Sequence, residues 1–192
     1  MCGRYVCEED QSIDLAALYR AVRISHPDVT LKSGEIFPTE TVPLLMGREL
    51  TPTPARWGFA GYGGKGVIIN ARAETAAVKP TFAEAVTRGR CLVPATGYFE
   101  WNTAKVKHRY SPADGGILYM AGLCRPSPEG LRFVIVTTPS DPVAVAAAVH
   151  PRMPLLIPPT ESEAWLGDTA FARHLLQSPD PASVPLTAVR AV

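Results

Sequence analysis

The sequence predicts a single α+β domain of 192 residues, built on a mainly antiparallel, barrel-like sheet with short flanking helices. Three observations carry this. Runs rich in β-branched and aromatic residues dominate the chain, the stretches with helical spacing are short, and strands and helices never alternate in the regular βαβ manner of a parallel sheet. Nineteen prolines and fifteen glycines add frequent turns and argue against a helical bundle.

Taken in order, Gly3 to Cys7 reads as a short strand that carries Cys2 inward. Asp10 or Ser12 can cap a helix that runs to about Val22, with Ile13, Leu15, Leu18 and Tyr19 available for its buried side. A loop from Leu31 leads to strands at Thr41 to Met46 and Leu50 to Trp57, where Pro52 and Pro54 imply an edge or a bulge. Gly58 to Gly66 is a Gly-rich connector, and Val67 to Asn70 an apolar strand ending in a polar residue. Thr81 with Glu84 forms a capping box for a helix that stops near Gly89. Arg90 to Pro94, Gly97 to Trp101, Ile117 to Cys124 and Leu131 to Thr137 are strands, with a polar hairpin region at Thr103 to Arg109. Asp141 to Val149 reads as a short helix and Pro154 to Ile157 as a strand. A second capping box at Thr160 to Glu163 opens a helix to about Leu166, another helix follows from Thr169 to Leu176, and the tail holds one last strand.

Composition excludes several classes. The chain is 46% hydrophobic, enough for a real core, and Lys+Arg 19 against Asp+Glu 18 leaves a net charge of +1. There is no global basic field, so any nucleic-acid contact must come from a local patch. No apolar run is long enough to span a membrane, and the polar first dozen residues do not read as a signal peptide. The four cysteines, Cys2, Cys7, Cys91 and Cys124, show no CxxC pair and no secreted framework, so reduced thiols in a cytosol are expected. Cys2 and Cys7 with a distant histidine do not match a zinc-site spacing, and no metal or cofactor is expected.

The chemistry begins at Met1-Cys2-Gly3-Arg4. If Met1 is removed, Cys2 carries an α-amine and a thiol on adjacent carbons, a pair found nowhere else in a protein. An aldehyde meeting it can form an imine that the thiol closes into a thiazolidine. The free pKa values, about 7.7–8.0 for the amine and about 8.5 for the thiol, leave both partly available near neutral pH. Three further segments place polar groups beside apolar strands: Asn70 to Thr75, Arg90 to Trp101, and His150 to Pro154. Glu100, between Phe99 and Trp101, is a candidate for a raised pKa and proton transfer near neutrality. Each also has a plainer reading: Glu100 as an outward strand residue, His150 as a structural histidine before Pro151, Asn70 as a strand-end cap.

Together these segments resemble the SOS response-associated peptidase (SRAP) family, the abasic-site processing proteins. The resemblance rests on Met-Cys-Gly-Arg, Asn70-Ala-Arg-Ala-Glu-Thr, Arg-Cys-Leu-Val-Pro-Ala with Gly-Tyr-Phe-Glu-Trp, Ala121-Gly122-Leu123, Phe133 to Thr138, and His150-Pro-Arg-Met-Pro, in matching order and spacing. It is strongest over residues 1–166, leaving a C-terminal helix and tail at 167–192. It implies one SRAP-like domain on a strongly curved antiparallel sheet. It also implies binding of single-stranded DNA containing abasic sites, and a covalent thiazolidine at Cys2. Cys2 matches the nucleophile, Asn70 the residue that positions it, Glu100 the proton shuttle, and His150 the residue that opens the sugar and assists reversal. Arg4 and Arg72 match DNA-contacting positions, Trp57 a base-stacking aromatic, Pro38 and Trp101 base wedges, and Thr137 a DNA-backbone contact. The resemblance implies a monomer in the cytoplasm, nucleoid-associated when on DNA. Departures are Thr96 for the usual Asp or Asn, Glu35-Ile36-Phe37-Pro38 for Asn-x-Ala-Pro, glycines through Tyr62 to Gly66, and a short tail. Met-Cys-Gly also opens N-terminal-nucleophile amidotransferases, so amide or peptide hydrolysis stays as an alternative, as does a non-covalent DNA-binding module.

Overall fold

A computed structural model describes residues 2–140 and 150–191. The helix expected over Asp141 to Val149 lies outside the described residues. The architecture is α+β, with extensive antiparallel pairing and short helices. Strand β1 (Tyr5–Cys7) leads to helix α1 (Ile13–Ser25) and strands β2 (Gly34–Ile36), β3 (Thr41–Met46) and β4 (Thr51–Trp57). Short strands β5 (Phe59–Ala60) and β6 (Val67–Ile68) pair as a ribbon before β7 (Asn70–Arg72). Helices α2 (Ala73–Ala76) and α3 (Pro80–Arg88) precede β8 (Arg90–Ala95), β9 (Gly97–Trp101), β10 (Lys107–Pro112), β11 (Leu118–Ser127) and β12 (Gly130–Pro139). After residue 149 come β13 (Arg152–Pro154), α4 (Ser162–Gly167), α5 (Thr169–Gln177) and β14 (Leu186–Arg190).

The larger sheet closes on itself. Strand β11 pairs with β8 through Leu118–Leu123 and with β12 through Gly122–Ser127, so the ring β11-β8-β3-β4-β12 returns to β11. Every pairing in the ring is antiparallel except β4 with β12. Where β11 and β12 diverge, the chain at residues 155–157 fills the gap: Leu155 donates to Val136 O at 2.9 Å, and Ala121 donates to Leu155 O at 2.8 Å. The strand expected at Pro154 to Ile157 is thus split between β13 and this wedge. The second sheet, in the order β14-β10-β9-β1-β2, is antiparallel throughout.

Strand alternation divides the core in two. Along β12, Phe133 and Ile135 join one buried cluster, while Val134 and Val136 join the other. Cys91 and Val93 against Leu92 repeat the division on β8. The first cluster takes in Leu15, Leu18 and Tyr19 of α1, and the second takes in Phe82 of α3, Trp165 of α4 and Leu176 of α5. Sheet faces are therefore covered on both sides, which explains the nearly unbroken apolar run of β8.

Local signals hold in part. Ser12 caps α1 by accepting from Asp14 N at 3.2 Å, but the helix continues past Val22 to Ser25, with His26 N closing onto Val22 O. The prolines of β4 sit as expected of an edge: β12 reaches β4 only at Arg56 and Trp57, so Pro52 and Pro54 need no donor on that side. Both predicted capping boxes are corrected. Helix α3 starts at Pro80 with Lys79 as N-cap, because proline's fixed φ suits the first helical position better than a later start at Thr81. A 3-10 turn over Pro159–Glu161 precedes α4, so its N-cap is Glu161 rather than Thr160. Asn70 is also displaced from expectation: it opens β7 instead of ending the previous strand.

One buried cation fastens the helices to the barrel. Arg90 is buried at the start of β8 and donates to the last carbonyls of two helices. Its Nη1 reaches Val86 O of α3 at 2.6 Å, its Nη2 reaches Leu166 O of α4 at 3.0 Å, and its Nε donates to Trp165 O. These carbonyls are the negative ends of the helix dipoles, so they substitute for a carboxylate partner. Replacing Arg90 with Met strands several buried acceptors at once. We expect Arg90→Met to lose about 3 kcal/mol or more in urea unfolding; a loss below about 1 kcal/mol would show that water or rearranged donors replace the guanidinium.

Candidate functional site

Four polar residues meet at one end of the second sheet. Arg4 O accepts from Phe99 N at 3.0 Å just before β1 pairs with β9. Continuing that register sets Gly3 across from Glu100 and brings Cys2 to the end of β9. From the barrel, β7 runs parallel to β12 and presents Asn70, whose Nδ2 donates to Cys2 O at 2.9 Å. Asn70 Oδ1 is buried and accepts from no donor among the described residues. Glu100 is 3% exposed, and its Oε2 lies 3.9 Å from His150 Nδ1. Cys2 is buried in the chain as it stands, with Met1 ahead of it. The structure thus brings together all four residues singled out for chemistry.

Burial sets the charge states. It pushes the Glu100 carboxyl up to about 7, against the opposing pull of the positive amino terminus. The Cys2 thiol is driven well above its ordinary value, first by burial and then by the charge of Glu100. Burial lowers His150, so its ring is neutral around pH 7.

His150 is held by groups the sequence reading did not single out. Ser140 Oγ donates to His150 O at 2.8 Å, and Ser140 N donates to Pro151 O at 3.0 Å. His150 Nδ1 lies 3.1 Å from both the amide nitrogen and the carbonyl oxygen of Arg152, so the Arg152 backbone holds the ring in place. The Arg152 guanidinium grips Glu74 at 2.7 and 2.9 Å and Thr137 O at 2.6 Å. The fork holds Glu74 below the usual carboxylate range. Arg152 therefore ties the His150 segment to α2 and β12. Its only sequence signal is an arginine and a glutamate within two of the matching motifs.

The expected DNA contacts divide. Arg4 precedes β1, Pro38 follows β2, and Trp101 ends β9; in antiparallel strands these are the same end of the sheet, beside Cys2. Arg72 is exposed two residues after Asn70 on β7, hence on the same face. Trp57 is a correction. It is fully buried, with Tyr5 edge-on at 5.3 Å, Phe133 stacked at 6.3 Å, and its Nε1 donating to Ile69 O at 3.0 Å. No ring face remains for a base. Thr137 is likewise enclosed at 1% exposure, with its Oγ1 3.3 Å from Arg152 Nε, so it supports Arg152 in place of a DNA contact.

The family model described as SOS response associated peptidase (SRAP) matches residues 1–191. The chain belongs to the SRAP family. Among curated relatives, abasic site processing protein YedK of Escherichia coli (strain K12) is 31% identical over 178 residues, 86% of this chain and 79% of its own length. Abasic site processing protein YoqW of Bacillus subtilis (strain 168) is 31% identical over 126 residues, 59% of this chain and 55% of its own. The fold recurs in solved structures. A Bordetella bronchiseptica protein superposes with TM-score 0.75 at 22% identity, over 100% of both chains. A Bacteroides thetaiotaomicron protein gives 0.74 at 24%, over 98% of this chain and 92% of that one. In this SRAP chain no helix among the described residues is long and apolar enough to cross a membrane.

Glu100 makes a stability prediction. A glutamate in the unfolded chain titrates near about 4.3, and in the folded protein at about 7. Between these values the folded state holds the extra proton. Stability is therefore greatest below the unfolded pKa and falls as pH rises toward 7. Glu100→Gln removes the titration, so the variant should gain on the parent between pH 5 and pH 8 in urea unfolding. A stability difference that is flat across that range would place Glu100 in a water-like environment.

Proposed function

We propose that this protein captures abasic sites in single-stranded DNA by forming a thiazolidine between Cys2 and the open-chain aldehyde of the lesion, after removal of Met1. Residues 1–192 act in this as one SRAP domain, as a monomer, in the cytoplasm and on the nucleoid when bound. The observation that carries the reading is the convergence of Asn70, Glu100 and His150 on Cys2. The relatives named abasic site processing proteins agree with it.

The reaction balances as a condensation that releases one water. The Cys2 amine attacks the aldehyde carbon and forms the C–N bond. The carbonyl oxygen takes protons and leaves as water, giving an iminium. The thiol sulfur then adds to the same carbon, forms the C–S bond and gives up its proton. Asn70 fixes the Cys2 carbonyl and so the direction of the amine, while its Oδ1 stays available to accept from the sugar or the amine. Glu100, titrating near neutrality, gives the proton that water needs and receives the thiol proton. His150 serves the sugar oxygen in ring opening. Ring closure passes through the same oxygen, so His150 assists reversal too. Exposed Arg72 and half-exposed Arg4 bind phosphate, and Pro38 and Trp101 wedge neighbouring bases.

Cys2→Ala should bind single-stranded DNA but form no adduct that survives a denaturing gel, and retention of Met1 by intact mass should have the same effect. A full yield of stable adduct from Cys2→Ala would overturn the chemistry. Ammonia release from glutamine, or peptide cleavage, without any DNA adduct would assign Cys2 to amide hydrolysis instead.

His150→Ala should slow both formation and release, so that crosslinks appear late and persist. Formation is followed on excess abasic oligonucleotide, and release into excess competitor. Release as fast as the parent's would return His150 to a structural role.

A further inference from the structure

One face at the Cys2 end of the second sheet carries a ladder of cations and aromatic rings. Arg4, Phe99, Trp101 and Lys107 share it, because Lys107 stands opposite Trp101 and the residues two apart follow the same face. The Arg4 guanidinium lies over the Phe37 ring at 4.4 Å and over Trp101 at 5.3 Å. Lys107 Nζ lies 3.8 Å from the centre of Phe99. Glu35 joins the two cations: its Oε1 is 3.3 Å from Arg4 Nη1 and 2.9 Å from Lys107 Nζ. Phe37 is 39% exposed although large and apolar.

A carboxylate oxygen shared by a guanidinium and an ammonium marks a position suited to a phosphate oxygen. The exposed Phe37 ring, covered on one face by a mobile type of side chain, suits a base. We propose that Phe37, Arg4 and Lys107 form a nucleotide subsite for single-stranded DNA beside the lesion site, and that Glu35 occupies its phosphate position in the free protein. The inference deepens the proposed function and rests on that reading. On binding, a DNA phosphate takes Arg4 and Lys107 from Glu35, and the guanidinium leaves the Phe37 ring for a base to stack on. Glu35 is held below the ordinary carboxylate range by these cations despite partial burial, so it is charged at neutral pH and competes there. The subsite thereby weakens capture of a strand that offers phosphates alone and rewards one that also supplies a stacked base. All three side chains are partly exposed, so substitutions leave the core untouched.

The test is fluorescence anisotropy with an undamaged mixed-sequence oligonucleotide over a range of salt, with thermal melts as a folding control. Glu35→Gln should bind about fivefold tighter, since two cations lose their internal competitor. Lys107→Ala should bind more weakly and flatten the salt dependence by about one phosphate equivalent. Phe37→Ala should lose about tenfold in affinity with an unchanged salt slope, the signature of stacking. Unchanged or weaker binding by Glu35→Gln, or an unaffected Phe37→Ala, overturns the subsite. The parent's adduct with an abasic oligonucleotide is scored separately on a denaturing gel. A parent that crosslinks while Glu35→Gln fails to tighten rejects the subsite alone. A parent that forms no adduct rejects the lesion chemistry, and tighter binding by Glu35→Gln then still supports the subsite.

Discussion

Strand β12 is the member on which both the fold and the candidate site depend. It closes the barrel by pairing with β11 and β4, then runs on past the ring. On that outer length β7 adds in parallel along Ile135–Thr137, and β13 adds antiparallel along Thr137–Pro139. The first brings Asn70 and the second sets the chain just after His150. Asn70 is therefore fixed by a backbone ladder on this strand, which holds position better than a loop does, and His150 lies two residues ahead of the β13 ladder. The other two come from the second sheet, where β1 and β9 pair next to Cys2 and Glu100. The hydrogen bond from Asn70 to the Cys2 carbonyl joins the two sheets at the point where they meet.

Placing a carboxylate there has a cost that the proposed chemistry would use. Glu100 sits on a strand whose neighbours Tyr98 and Phe99 are buried, and desolvation disfavours its anion. A fully solvated glutamate would be ionised at pH 7 and a poor acid. One enclosed without any compensating charge would be a poor base. The amino terminus nearby offsets part of the desolvation, so the group rests between these limits.

Much of this was legible in the sequence because a polar residue within an apolar strand is conspicuous. Asn70, Glu100 and His150 each follow or interrupt apolar runs, and Cys2 is marked by its place in the chain. Strand alternation was the signal left unused for Trp57. It lies two residues from Ala55 on β4, so both face the same side, and Ala55 is buried. The aromatic belongs to the core for the same periodic reason that places Ala55 there. Arg152 was missed for a different cause: its partner Glu74 is 78 residues away in sequence, and no local pattern announces a long-range ion pair. At both misplaced helix starts the local capping signal is overruled: neither Lys79 nor Glu161 makes a side-chain cap, a proline at the first position opens α3, and a 3-10 turn leads into α4. Barrel closure was foreseeable only as a class, since the pairing of β11 with two strands depends on register.

The electrostatic coupling between Cys2 and Glu100 also bears on the order of steps in the proposed reaction. An ionised Glu100 raises the thiol, and burial raises it further, so a free thiolate is disfavoured before the aldehyde arrives. The amine is thereby the first nucleophile, and a stray oxidant meets a protonated thiol. Once water has left, the iminium carries a positive charge in the same enclosed space. That charge stabilises the Glu100 carboxylate and any developing thiolate together, reversing the penalty that held the sulfur back. Sulfur attack then neutralises the iminium while its proton passes to the carboxylate. The burial that suppresses the thiol in the resting protein thus favours ring closure once the imine exists, and a single carboxylate links the two steps.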